Sequence, residues 1–157
     1  MDTKTNHYKN FIDAFYEKLP ELKKEFKQYL QEKCGYFDPK VDGFSYQLSM
    51  GLSFFILELW EQKRYEDLKK ILNFIEASIG KDQETDDSIE VMIFEGIINS
   101  LRGNDHDNGT HSMTEFEQLL GQKSINLCRK NEALWNSLDR EPKSLGNMIR
   151  FLKERNQ

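Results

Sequence analysis

Two glutamates interrupt the most apolar stretches of the sequence and are its first candidates for chemistry. Between Leu52 and Trp60 only Ser53 and Glu58 are polar, and Glu95 falls within a second apolar run. Two buried carboxylates that reach one cavity can act as a general acid and a general base, or bind a small molecule. Such a glutamate more often points to the rim of a helix bundle or binds a nearby lysine or tyrosine. Since no histidine or nucleophile accompanies the pair, a non-catalytic role is favoured.

Residues 103–111 contain potential metal ligands and are predicted to form an exposed loop. If Gly109 is placed at the sixth position of a calcium-binding loop, Glu115 takes the twelfth. That alignment offers Ca²⁺ one carboxylate among its ligands Asn104, His106, Asn108 and Glu115. Glu115 is also predicted to form a capping box with Ser112. His106 and His111 provide only two imidazoles for a softer metal, so a metal-free loop is expected.

Sequence motifs of the common enzyme classes are absent. The sequence has no His-Glu-x-x-His, no Cys-x-x-Cys, no phosphate-binding glycine loop and no Gly-x-Ser-x-Gly elbow. No histidine follows a glutamate at the spacing used by di-iron bundles. Cys34 and Cys128 do not make a disulfide framework, and reduced thiols are expected. These absences favour a protein that is not an enzyme and that holds neither a cofactor nor a metal.

One stretch of the sequence is strongly acidic. From Asp82 to Leu101 there are six acidic residues and no lysine or arginine, and five lie at or near the start of a predicted helix: Asp82, Glu84, Asp86, Asp87 and Glu90. The helix dipole stabilises negative charge at this end, by about a few tenths of a kcal/mol per group. The alternative is a docking patch for a basic protein partner, because complementary charge accelerates association.

The elements that carry these residues are predicted to be helices. The chain has two valines and five threonines against 17 leucines and 11 isoleucines, and no run alternates apolar and polar residues. Apolar residues recur instead at intervals of three and four, which predicts helices over about 6–19, 20–34, 44–62, 65–79, 85–102, 112–121, 124–138 and 142–155. Gly103 is expected to end the fifth. The predicted fold is therefore all-α, a bundle or short α-α superhelix of seven or eight helices without a sheet, with 44–62 and 85–102 at its centre.

Composition indicates one domain over residues 1–157. A net charge of −5 argues against nucleic acid as a partner. The longest uncharged run has 15 residues, 43–57, whereas a membrane helix needs roughly 20 apolar residues. Since the first residues form no apolar signal segment, a cytoplasmic protein is expected.

Several segments share a pattern of apolar helical positions that closes on a Leu-Gly step. They are Phe54–Trp60, Tyr65–Leu68, Ile71–Glu76, Val91–Leu101 and Leu119–Ser124. Over about residues 8–138 this pattern resembles an uncharacterised family of small all-helical bacterial domains, with the helix over 142–155 as an addition. Such domains resemble immunity-type proteins, which are encoded beside secreted bacterial toxins and neutralise them. The resemblance implies a non-catalytic protein-binding module whose partner is a protein such as a basic toxin, and it implies no catalytic residues.

Overall fold

The computed structural model describes residues 7–33 and 44–139, with side chains described over 11–33 and 48–130. All regular secondary structure in these ranges is helical and none is strand, which confirms the predicted all-α class. Seven helices are described: α1 (His7–Lys18), α2 (Pro20–Lys33), α3 (Phe44–Glu61), α4 (Tyr65–Ser78), α5 (residues 83–108), α6 (Ser112–Glu117) and α7 (Gln122–Asp139). Cys34, the residues 35–43 between the second and third predicted helices, and the helix predicted over 142–155 lie outside the described residues.

The first two helices meet at a proline junction. Pro20 begins α2, where its missing N–H costs nothing because the first helical turn has no acceptor for it. The Leu19 amide donates to the Phe15 carbonyl at 3.0 Å, so the chain turns directly from one helix into the next. The rings of Phe15 and Phe26 then pack edge to face with centroids 5.9 Å apart. These contacts hold α1 and α2 against each other over the core.

Helix α3 lies at the centre of the described domain, as its nearly all-round apolar sequence predicts. It contacts α1, α2, α4 and α5. Its buried apolar residues are at most 2% exposed: Leu48, Leu52, Phe55, Ile56 and Leu59. Where α3 approaches α5, Gly96 faces Ser53, and a Cβ at Gly96 would lie 3.1 Å from the Ser53 hydroxyl oxygen. A small residue on each helix therefore permits the close contact.

Helix α5 is longer than predicted and contains a π-helical turn. It consists of an α segment, Gln83–Ser88, a π segment, Ile89–Phe94, and a second α segment, Glu95–Asn108. The prediction that Gly103 ends this helix is wrong, because a glycine inside a helix costs only about 1 kcal/mol. The helix ends instead at Gly109, which adopts the left-handed conformation, φ 63°, typical of a C-terminal glycine. Most of the loop predicted over 103–111 is consequently helical.

The start of α6 is capped by a residue of α5. The Asp105 carboxylate accepts hydrogen bonds from the amides of Ser112, at 2.7 Å, and Met113, at 3.1 Å, and from the Thr110 hydroxyl at 2.7 Å. The predicted capping box of Ser112 and Glu115 is therefore wrong, because Asp105 already takes the amides of the first turn. Desolvation acts to raise the pKa of Asp105, but the hydrogen bonds from Met113, Thr110 and Ser112 outweigh it and lower the pKa to about 2.

This cap predicts a pH-dependent loss of stability. Because the folded pKa of Asp105 lies below its unfolded value of 3.8, the stabilisation is present above about pH 4 and is lost as the pH falls toward 2. We expect Asp105→Asn to lower the urea midpoint at neutral pH, and the difference from the native protein to shrink between about pH 4 and pH 2. Asp107→Asn is the control, because the Asp107 side chain is 78% exposed. A pH-independent difference for Asp105→Asn would contradict the assignment.

Candidate functional site

Two carboxylates of the acidic segment build the turn between α4 and α5. Asp82 is the residue that caps α5, and its two oxygens accept from the Thr85 amide and the Thr85 hydroxyl, each at 2.8 Å. Asp86 reaches back and accepts from the Gly80 amide at 2.9 Å. These contacts support the structural interpretation for Asp82 and Asp86, although a carboxylate that accepts hydrogen bonds keeps its negative charge.

The other three carboxylates of the segment differ in exposure. The Glu90 side chain is 13% exposed and forms an ion pair with Lys130 at 3.5 Å. Asp87 is exposed and accepts from Gln83 on the same helix at 2.7 Å. Glu84 is exposed as well. Since Glu84 and Asp87 are three residues apart in one helix, they present two neighbouring charges to solvent.

The structure does not bring the two candidate carboxylates of the apolar helices to one groove. Glu58 is half-buried, accepts from Gln62 at 3.1 Å, and lines a groove between α2 and the C-terminal half of α3. Glu95 is also half-buried, on α5, but it is not a lining residue of this groove. The groove therefore offers Glu58 without the second carboxylate that a paired acid and base requires.

An arginine at the edge of the same groove ties three elements together. Arg64, between α3 and α4, donates to both carboxylate oxygens of Glu25 on α2, and to Asp67 at 2.6 Å. The hydrogen bonds that Arg64 donates to Glu25, and then those to Asp67, raise the pKa of Arg64 above its ordinary value. Because Glu25 and Arg64 are 39 residues apart in sequence and both are only partly buried, no local pattern predicts this contact.

A carboxylate on α4, Glu76, caps the start of α7, and no sequence pattern predicted it. Glu76 accepts from the Lys123 amide at 2.9 Å, and from the amide and hydroxyl of Ser124 at 2.8 and 2.7 Å. Burial acts to raise the pKa of Glu76, but these hydrogen bonds lower it overall. A Cβ on Gly121 would lie 2.7 Å from two Glu76 side-chain atoms, Cγ and Oε1. The Leu-Gly step noted in the sequence thus makes room for the cap.

The histidine-rich segment has no metal-binding geometry. Residues 104–108 continue helix α5, which is incompatible with the calcium-loop alignment through Asn104, His106 and Asn108. The His106 side chain is 91% exposed and lies 3.4 Å from Asp107. Over the described ranges, no group of three or more histidine, cysteine, aspartate or glutamate side chains is placed to bind a metal ion.

The fold and its surfaces define a small all-helical domain with an acidic turn and a polar groove. None of its described helices combines the length and the apolar character needed to cross a membrane. The chain belongs to the family described as Domain of unknown function (DUF7674), whose model matches residues 12–136. No curated protein and no solved structure matches the chain. The predicted membership of an uncharacterised family is therefore confirmed, with bounds close to the expected 8–138.

Proposed function

We propose that this domain is a non-catalytic protein-binding module of the cytoplasm, an immunity-like protein that binds and neutralises a basic bacterial toxin. The acidic segment is the observation that carries the proposal. Glu84 and Asp87 are exposed on one turn of α5, and no lysine or arginine occurs between residues 82 and 101. The resemblance of the sequence pattern to immunity-type domains supports the same function.

The turn is well suited to presenting charge to a partner. Asp82 and Asp86 fix the start of α5 through their hydrogen bonds to Thr85 and Gly80, so Glu84 and Asp87 are held on an ordered helix. A partner surface that must attract phosphate, such as that of a nuclease, carries the complementary positive charge. Charge complementarity of this kind raises association rates by about 10- to 1,000-fold at low salt.

The test is the association rate with the product of a toxin-like gene encoded beside this one. We expect Glu84→Lys with Asp87→Lys to slow association by about tenfold or more at low salt, and the difference to shrink as salt screens the charges. Asp86 and Glu90 stay unchanged, because Gly80 and Lys130 contact them and their substitution would also alter stability.

A matched control separates the patch from overall charge. Glu17→Lys with Glu61→Lys makes the same change in net charge at two exposed positions outside the segment. This variant should associate nearly as fast as the native protein, and all variants should retain the helical circular dichroism signal. Unchanged association of the Glu84 and Asp87 variant at low salt would leave these residues with a structural role alone.

A further inference from the structure

The groove between α2 and α3 is large enough to hold one long side chain. Its volume is about 220 Å³, below the roughly 300–1,000 Å³ of pockets that hold whole small molecules or cofactors. Its most buried lining residues are apolar: Phe55 is 2% exposed and Leu59 is fully buried. Tyr29 packs on Phe55 with ring centroids 5.4 Å apart. These three residues give the groove an aromatic and aliphatic base.

Two carboxylates at this groove lack a cationic partner within the part of the chain that the structure describes. Glu32 accepts from Gln28 at 2.9 Å, and Glu58 accepts from Gln62 at 3.1 Å, in each case within a single helix. Neither forms an ion pair with a described residue, whereas Glu25 at the same groove is engaged by Arg64. Glu32 and Glu58 therefore carry negative charges at the groove that no ion pair with a described residue neutralises.

We propose that this groove binds a single arginine side chain of a protein partner. The guanidinium would donate to Glu32 and Glu58, while its plane and aliphatic stem pack on Tyr29, the partly exposed ring of the groove. Arginine fits better than lysine because its planar group stacks on aromatic rings and its five donors serve two carboxylates at once. The inference rests on the proposed function only in assigning the arginine to a protein partner.

Two cations line the groove, and Lys33 is the one that would repel a bound guanidinium, because Arg64 is engaged by Glu25 and Asp67. Lys33 is exposed and lines the groove. Its charge repels a guanidinium, so its removal should strengthen binding, whereas removal of the Glu32 and Glu58 charges should weaken it. If the groove bound its guest through apolar contacts alone, neither substitution would change the affinity.

The experiment is a titration of the isotope-labelled full chain with N-acetyl-arginine amide, followed by backbone amide shifts in NMR spectra. We expect saturable shifts in the C-terminal halves of α2 and α3, with a dissociation constant of about 1 mM, as a single polar side chain can provide. The citrulline analogue has nearly the same shape without the charge and should not saturate. Glu32→Gln with Glu58→Gln should weaken binding about tenfold, and Lys33→Gln should tighten it about twofold.

The controls distinguish this proposal from the proposed function. Glu61→Gln removes an exposed charge of α3 that does not line the groove, and it should leave the titration unchanged. Equal binding of citrulline, shifts confined to residues 82–90, or no effect of the Glu32 and Glu58 variant would overturn the arginine site. A different pair of results would contradict only the acidic docking patch. In that case N-acetyl-arginine amide still binds the groove, but the Glu84 and Asp87 variant associates with the partner as fast as the native protein.

Discussion

Replacing Phe55 with alanine is expected to lower the free energy of unfolding by about 3–5 kcal/mol. The side chain is 2% exposed, and its ring contacts the rings of Phe26 and Tyr29, each with centroids 5.4 Å apart. Alanine would remove the buried ring and leave a cavity between α2 and α3 that the rigid helices cannot fully close. Urea unfolding followed by circular dichroism measures the loss.

The neighbouring residue is a matched control for this prediction. Phe54 has the same side chain, in the same helix, but it is 45% exposed. Since truncating an exposed side chain removes little buried area, Phe54→Ala should lower the free energy of unfolding by less than about 1 kcal/mol. A loss below about 1 kcal/mol for Phe55→Ala, or equal losses for both variants, would show that α3 does not face the core as described.

Gly121→Ala is expected to lower the free energy of unfolding by about 2–3 kcal/mol, although the residue is not in the apolar core. The new methyl group would overlap Cγ and Oε1 of Glu76, each 2.7 Å away. The Glu76 carboxylate cannot move aside without losing its hydrogen bonds to Lys123 and Ser124. Overpacking of this kind costs about 1–3 kcal/mol, and loss of a helix cap about 0.5–2 kcal/mol.

A double-mutant cycle tests whether Glu76 is the cause. In the Glu76→Ala background the clash and the cap are both gone, so Gly121→Ala should be close to neutral, or slightly stabilising because alanine restricts the unfolded chain. The coupling between the two sites should then equal the loss for Gly121→Ala alone, about 2–3 kcal/mol. Additive losses in the cycle would mean that Gly121 is needed for some other reason.

The sequence predicted the helices well where apolar spacing and strong stop signals coincided. Pro20 begins α2 and the apolar run around Phe55 forms a central helix, since both effects depend on local chemistry and on period. The end of α5 was predicted wrongly because Gly103 and Gly109 are equally good local signals. The helix ends at the later one, and Asp105 in its last turn accepts from the amides at the start of α6.

The candidate sites depended more on tertiary structure. The sequence grouped five carboxylates after Ile79, but it could not separate Asp82 and Asp86, which build the turn, from Glu84 and Asp87, which are exposed. The groove was not predicted at all, because its lining comes from α2, α3 and the turn after α3, and the side chains at its rim are polar. The spacing of apolar residues identifies the buried faces of helices, but it does not predict contacts between partly exposed helix faces.

The caps of α6 and α7 have a consequence for the order in which the protein is made. Asp105 and Glu76 belong to helices that leave the ribosome before the amides they accept from. Helix α6 has six residues, Ser112–Glu117, well below the roughly 12–15 that an isolated helix needs in water. The earlier helices thus provide acceptors that are already in place when the later segments emerge, so the chain can add α6 and α7 to a partly assembled domain during synthesis.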